Sequence, residues 1–219
     1  MNKKETYIAR RRALRRRQIF EGAANVFAEK GYHSATVREV AEAAGLAKGT
    51  VYEYVKTKED MLLLVMEEGL AMIFEEVEKS LKKDDNPINS VKTLLNVMMK
   101  MLDKYKKVSK VVTHEMKGLS GDVLVKLLEL KRRYLKVVEN ILREGVSEKK
   151  FKPMDTLLCA EILGHLCVFW VDYGDLPFEK SSFRKVTDTI TTIFLEGILL
   201  NDGDRAGEKK AGRIKFERG

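Results

Sequence analysis

Lys48, Gly49, Thr50, Tyr52 and Tyr54 fall within seven consecutive residues of the chain. Together they supply one ammonium, three hydroxyls and one position without a side chain. They contain no nucleophile beside a base and no metal-ligand spacing. Groups of this kind do recognition chemistry. Hydroxyls donate to phosphate oxygens, and a lysine also reaches the acceptor edge of guanine. A glycine lets backbone approach a ligand closely. Thr36 and Lys58 extend the set, each at the start of a predicted helix, where free N–H groups and the helix dipole attract anions. Glu53, in the middle of the run, repels phosphate but can accept from a cytosine amino group. Tyr52 and Tyr54 have an alternative use as core residues, and at least one of them is expected to be half buried. The partner these residues imply is double-stranded DNA.

Two short helices and a tight turn must position this set. Ala41, Gly45 and Val51 have the spacing of a helix-turn-helix: a small residue at the crossing, a turn residue tolerant of positive φ, and an apolar residue returned to the core. Val37 to Ala44 is predicted as the first helix, opened by a Thr36–Glu39 capping box. The second runs from about Lys48 to Tyr54 and lies where its outer face can enter a major groove. A preceding helix carries Ile19, Ala23, Val26 and Phe27 at helical spacing and ends at Gly31. Thr57 caps a long helix from Lys58 to about Lys83. Residues 1–12 read as a polar, basic arm leading into the first helix, its Arg10, Arg11 and Arg12 available to a minor groove or to phosphates.

Charge supports the same partner. Of a net +8, residues 1–58 hold +7, and the remaining 161 residues hold +1. A basic end around a groove-reading motif fits a polyanion.

Beyond Asp84-Asp85-Asn86-Pro87 the pattern is helix after helix: 88–106, 108–117, 122–145 ended by Gly145, 155–173, and about 179–200, with a break from Tyr173 to Pro177. The fold class is all-α. No signal peptide and no membrane span is read, so a cytoplasmic protein is expected. Cys159 and Cys167 lie too far apart along one helix for a disulfide and are expected to be small buried hydrophobes; a redox role is the alternative. With His165 they match no known metal site, so no metal and no cofactor are expected.

From residue 13 to residue 66 the chain resembles the TetR family of bacterial transcriptional regulators. The resemblance is carried by Ile19 through Phe27-Ala28-Glu29-Lys30-Gly31-Tyr32, then Thr36-Val37-Arg38-Glu39-Val40-Ala41, then Gly45-Leu46-Ala47-Lys48-Gly49-Thr50-Val51-Tyr52, and Lys56-Thr57-Lys58-Glu59-Asp60-Met61-Leu62. Tyr54 resembles the position where the family places a phosphate-binding His or Tyr. The run Tyr52-Glu53-Tyr54-Val55 departs from the family's usual aromatic pair ending in Phe. The resemblance implies an N-terminal three-helix DNA-binding domain with its basic arm (1–57) and a larger helical ligand-binding and dimerisation domain (58–201). Residues 202–219 read as a disordered tail. It also implies a homodimer through the last two long helices. Ile162, Leu163, Leu166, Phe169, Trp170, Ile190, Ile193, Phe194 and Ile198 carry more apolar surface than one layer of neighbours covers.

Met98, Met101, Tyr105, His114, Tyr134 and Phe169 are the candidates to line an apolar effector pocket, with ordinary core packing as the alternative for each. The implied function is a repressor released from a palindromic operator by a small hydrophobic effector. The alternative is a DNA-architectural protein or regulator without a ligand. An enzyme is not expected: the chain shows no Gly-rich phosphate loop and no nucleophile motif, and His33, His114 and His165 fall on separate predicted elements.

Overall fold

The structure is a computed structural model that describes residues 3–81, 86–119, 121–173 and 183–200. The predicted breaks at Asp84-Asp85 and at 174–177, and the tail 202–219, lie outside the described residues. Among those described, the chain is all-α, in the order α1 Lys3–Ser34, α2 Val37–Ala43, α3 Lys48–Tyr52, α4 Lys58–Ser80, α5 Pro87–Lys104, α6 Lys106–Glu115, α7 Gly121–Ser147, α8 Thr156–Tyr173 and α9 Phe183–Ile198. No described helix is long and apolar enough to cross a membrane.

The helix starts follow local chemistry. Thr36 and Thr57 each form a capping box, with Glu39 and Asp60 respectively, and Asn86 accepts from the Asn89 N–H ahead of Pro87. Gly31 (φ 75°) interrupts α1 near its end, and Gly45 (φ 65°) makes the turn between α2 and α3. Two sequence expectations are corrected. The basic segment is no separate arm: α1 already begins at Lys3, so Arg10, Arg11 and Arg12 are helical. Gly145 does not end α7, which runs to Ser147; Lys149 takes the left-handed conformation instead (φ 56°). Gly145 has a different purpose. A Cβ there would stand 2.0 Å from the Phe151 ring, so its bare backbone admits that buried ring. Phe151 pairs with Leu199 in an isolated antiparallel bridge, tying the α7–α8 turn to the end of α9.

Two apolar cores form. One gathers Ile19, Phe20, Ala23, Phe27, Val40, Ala41, Val51 and Val55 with Met61 to Val65 of α4 and Val108 of α6. The other gathers Ile73 and Val77 of α4 with α5, α7, α8 and α9. Helix α4 therefore runs unbroken from one core into the other, its 23 residues carrying buried side chains in both. Arg16 of α1 pairs with Glu67 and Glu68 of α4, and Arg17 pairs with Glu75, which fastens α1 alongside it.

Candidate DNA interface and effector region

Helix α3 is short, and its core side is held by Val51 alone, fully buried. Ala41 is buried beneath it on α2. Lys48, Gly49 and Tyr52 are exposed, and Thr50 is partly exposed, so the outer face of α3 carries the expected donors. The Lys48 ammonium lies 5.6 Å from the centre of the Tyr52 ring. Cation and ring thus travel as one unit toward whatever α3 meets. Tyr54 is partly buried and packs on the N-terminal core, leaving Tyr52 as the open tyrosine.

Thr36 and Lys58 have structural partners. The Thr36 hydroxyl accepts from the Glu39 N–H and donates to the Glu39 carboxylate, which itself accepts from Lys30. Lys30 and Thr36 together hold the Glu39 carboxyl down at about 2. The Lys58 ammonium donates to the His33 carbonyl at 2.6 Å and sits 5.2 Å from the centre of the Tyr32 ring. It thus ties the start of α4 to the α1–α2 connection. Burial, then Glu59 and Glu115, push the Tyr32 phenol up to about 12.

The residue that sets the interhelix geometry is one the sequence reading passed over. A Cβ on Gly22 would lie 2.7 Å from the Val40 carbonyl and 2.8 Å from the Ala44 nitrogen. Helices α1 and α2 touch backbone to backbone there. The available signal was a glycine inside an otherwise regular apolar helix pattern.

The six candidate effector residues do not converge. Met98 and Tyr134 meet: the buried Tyr134 hydroxyl donates to the Met98 sulfur at 2.9 Å, with Phe74 beside the ring at 5.8 Å between centroids. Burial pushes the Tyr134 phenol up, so it stays a neutral donor. Met101 packs between the two cores. Tyr105 belongs to the N-terminal core. Its ring packs edge-on against Phe20 at 5.1 Å, and its hydroxyl donates to Glu21 at 2.8 Å. His114 lies in a separate open groove of about 600 Å³, among Phe27, Tyr32, His33 and Val111. Phe169 is more than half exposed on α8. Trp170, by contrast, is buried in the C-terminal core, donates to Asp103 at 3.1 Å and lies under the Lys106 ammonium. Cys159 and Cys167 are free thiols; burial pushes Cys167 up to about 12, which keeps it protonated and inert.

Of the apolar residues expected at a dimer interface, Leu163, Trp170, Ile190, Phe194 and Ile198 are consumed within the chain. Ile162, Phe169 and Ile193 are left exposed, together with Leu157 and Leu158. A two-helix face on α8 and α9 is thereby left to water.

Comparison with known proteins agrees with this geometry. The family model for bacterial regulatory proteins of the tetR family matches residues 19–65, and that for the tetracyclin repressor-like C-terminal domain matches 84–172. A solved structure of a candidate fatty acid metabolism regulator from Clostridium perfringens is 30% identical, covers 84% of this chain and all of its own, and superposes with a TM-score of 0.66. The fatty acid metabolism regulator protein of Bacillus subtilis (strain 168) is 28% identical over 182 residues, which is 83% of this chain and 94% of that one. A structure of the transcriptional regulator FadR from Bacillus subtilis in complex with stearoyl-CoA is 25% identical, covers 83% of this chain and 98% of its own, with a TM-score of 0.71. The chain belongs to the TetR family. It is a DNA-binding transcriptional regulator with the two-part build of ligand-responsive repressors.

Proposed function

We propose that the chain is a homodimeric repressor released from a near-palindromic operator by a long-chain acyl thioester. The observation that carries the effector class is the likeness to fatty-acid-regulator relatives from Clostridium perfringens and Bacillus subtilis, with a stearoyl-CoA complex among the similar structures, together with an apolar interior in this chain. Met98, Met99, Leu94, Tyr134 and Leu163 pack in that interior as an almost wholly apolar group with one neutral donor. Methionines repack at low cost around an inserted alkyl chain. Of the candidate positions, Met98 and Tyr134 belong to this interior, and Met101 packs against it.

Lys48, Gly49, Thr50 and Tyr52 serve as the DNA-reading set, and Thr36, Tyr54 and Lys58 stiffen the frame behind it. Two copies joined through α8 and α9 present two recognition helices to two half-sites about one helical turn apart. Ligand and DNA prefer different arrangements of the subunits, and helix α4 joins the two cores. Each partner then weakens the other by the same factor, typically about 5–150-fold.

The test uses the single tryptophan, Trp170, which packs in the C-terminal core beside α5 and α6. Stearoyl-CoA is titrated into the full chain while Trp170 fluorescence is followed. Operator affinity is then measured with and without the thioester. Saturable fluorescence change together with weakened DNA binding supports the reading. Tight DNA binding that no acyl thioester alters favours a regulator without this effector.

A further inference from the structure

We propose that the groove between the end of α1 and α6 is a second ligand site, which takes a small amphipathic organic monoanion. It goes beyond the acyl-thioester reading, because no residue of the groove belongs to the C-terminal core.

The two walls run side by side. Tyr105, just before α6, donates its hydroxyl to Glu21 of α1, and Glu115, the last residue of α6, pairs with His33 near the end of α1. Both partners advance along the chain together, so α6 lies parallel to α1 and follows it to its end. The groove between them holds about 600 Å³. That falls within the ordinary range of small-molecule sites, about 300–1,000 Å³. Its floor is apolar, with Phe27 and Ala28 on the α1 side and the partly exposed Val111 on the α6 side.

The rim is cationic. Lys107, Lys110 and His114 share one stripe of α6, and all three are exposed along the groove. Like charges at this spacing weaken a helix, so helix formation does not account for the two lysines. Across the groove Lys30 is occupied by Glu39, and His33 by Glu115. No acidic side chain of the described residues pairs with Lys107. This asymmetry fixes how the ligand lies. Its acidic group goes to the Lys107–Lys110 end, and its apolar body lies over Val111. Glu115, 3.3 Å from the His33 ring nitrogen, stands at the other end and repels a second acid there. The occupant therefore bridges the N-terminal core and a helix that also meets α8, where Thr113 and Asp172 lie 3.4 Å apart.

The probe is anilinonaphthalene sulfonate, an aromatic monoanion whose fluorescence rises in apolar surroundings. It is titrated into the full chain as wild type, as Lys107→Glu/Lys110→Glu and as Lys126→Glu/Arg132→Glu, and the dye bound per chain is counted by equilibrium dialysis. Lys126 and Arg132 are exposed on α7, so the last variant changes the net charge equally at a distance from the groove. The groove variant is expected to lose one dye site per chain, or to bind there about tenfold more weakly. The α7 variant should bind as the wild type does. Lys107→Glu alone should shift binding in the same direction by less, and it carries the test if circular dichroism shows the double variant unfolded. A groove variant that binds as much dye as tightly as the wild type overturns the proposal. So does an equal loss in the α7 variant, which would mean undirected charge. A dye site emptied by stearoyl-CoA and untouched by the lysine changes belongs to the C-terminal interior, and overturns it as well. A wild type that binds no dye does the same.

Discussion

Tyr105, at the junction of α5 and α6, donates its hydroxyl to Glu21 of α1 at 2.8 Å, while its ring packs on Phe20. A side chain from the end of α5 is thus anchored in the N-terminal core. Any rearrangement of α5 and α6 by an effector has to move or break this contact. Tyr105→Phe keeps the ring and removes the bond to the carboxylate, a loss of about 1 kcal/mol for a partly exposed pair. The expected outcome is DNA affinity close to the wild type without ligand, and a smaller fold-change when stearoyl-CoA is added. The two binding curves, with and without thioester, check it; an unchanged ratio would show that Tyr105 transmits nothing.

Gly22 is the N-terminal glycine at which backbone already occupies the space a Cβ would need. Gly22→Ala drives a methyl against the Val40 carbonyl and the Ala44 backbone, and neither can swing aside as a side chain would. Overpacking of this kind costs about 1–3 kcal/mol. Thermal melting should drop, and DNA binding should fall further than stability, because α2 carries the turn that aims α3. A Gly22→Ala protein that melts and binds as the wild type does would contradict the backbone contact.

Most of the frame was legible from sequence because it is written in local chemistry. Thr36 with Glu39, Thr57 with Asp60, and Gly31 and Gly45 each act within a few residues of themselves. Ala41 and Val51 were readable because a helix-turn-helix fixes their spacing. Gly22 and Gly145 were not, since what they admit, the Ala44 backbone and the Phe151 ring, comes from elsewhere in the fold. For the same reason Tyr105, His114 and Tyr134 looked alike as apolar-to-polar residues on the middle helices. Packing separates them: α1 against the α5–α6 junction makes Tyr105 a domain contact and leaves His114 in a surface groove, while α4, α5 and α8 enclose Tyr134 as an interior donor.

Glu39 gives a pH signature. Its carboxyl lies at about 2 in the folded chain against an ordinary 4.5, held by Lys30 and Thr36. A lowered folded value means the unfolded chain takes up the proton first. The stabilisation is therefore complete above about 4.5 and disappears as pH falls toward 2. Glu39→Gln should melt below the wild type at neutral pH, and the gap between the two should close across that acid window. A gap that stays constant from pH 5 to pH 2 would remove Glu39 as its source.

Lys48 stands exposed at the first position of α3, with the Tyr52 ring beside it. Lys48→Ala should weaken operator binding by about 1–3 kcal/mol if the ammonium meets a base edge, and relax selectivity at that base pair. If it meets only a phosphate, binding should fall evenly across sequences and the salt slope should shrink. Competition among operator variants separates the two. Wild-type affinity and selectivity in Lys48→Ala would take Lys48 out of the interface.

Ile193 is the most exposed large aliphatic side chain of α9, and Ile162 and Phe169 leave α8 similarly open. A face of this kind is stable in water when a second copy covers it, and a two-fold axis lets the same residues meet their equivalents. Ile193→Glu changes nothing in the packing of the single chain, since the side chain already points away from both cores. In a dimer it brings two carboxylates toward one another across the axis and desolvates them, which is strongly unfavourable. Light scattering should report a dimer for the wild type and a monomer for Ile193→Glu, with the helical circular dichroism retained. DNA binding then follows by geometry. One recognition helix still fits one half-site, but the second half-site is no longer delivered at an effective concentration set by the dimer. Affinity for the full palindrome should collapse toward that for an isolated half-site, while half-site binding stays as it was. An Ile193→Glu chain that remains dimeric and holds the palindrome would move the dimer contact away from α9.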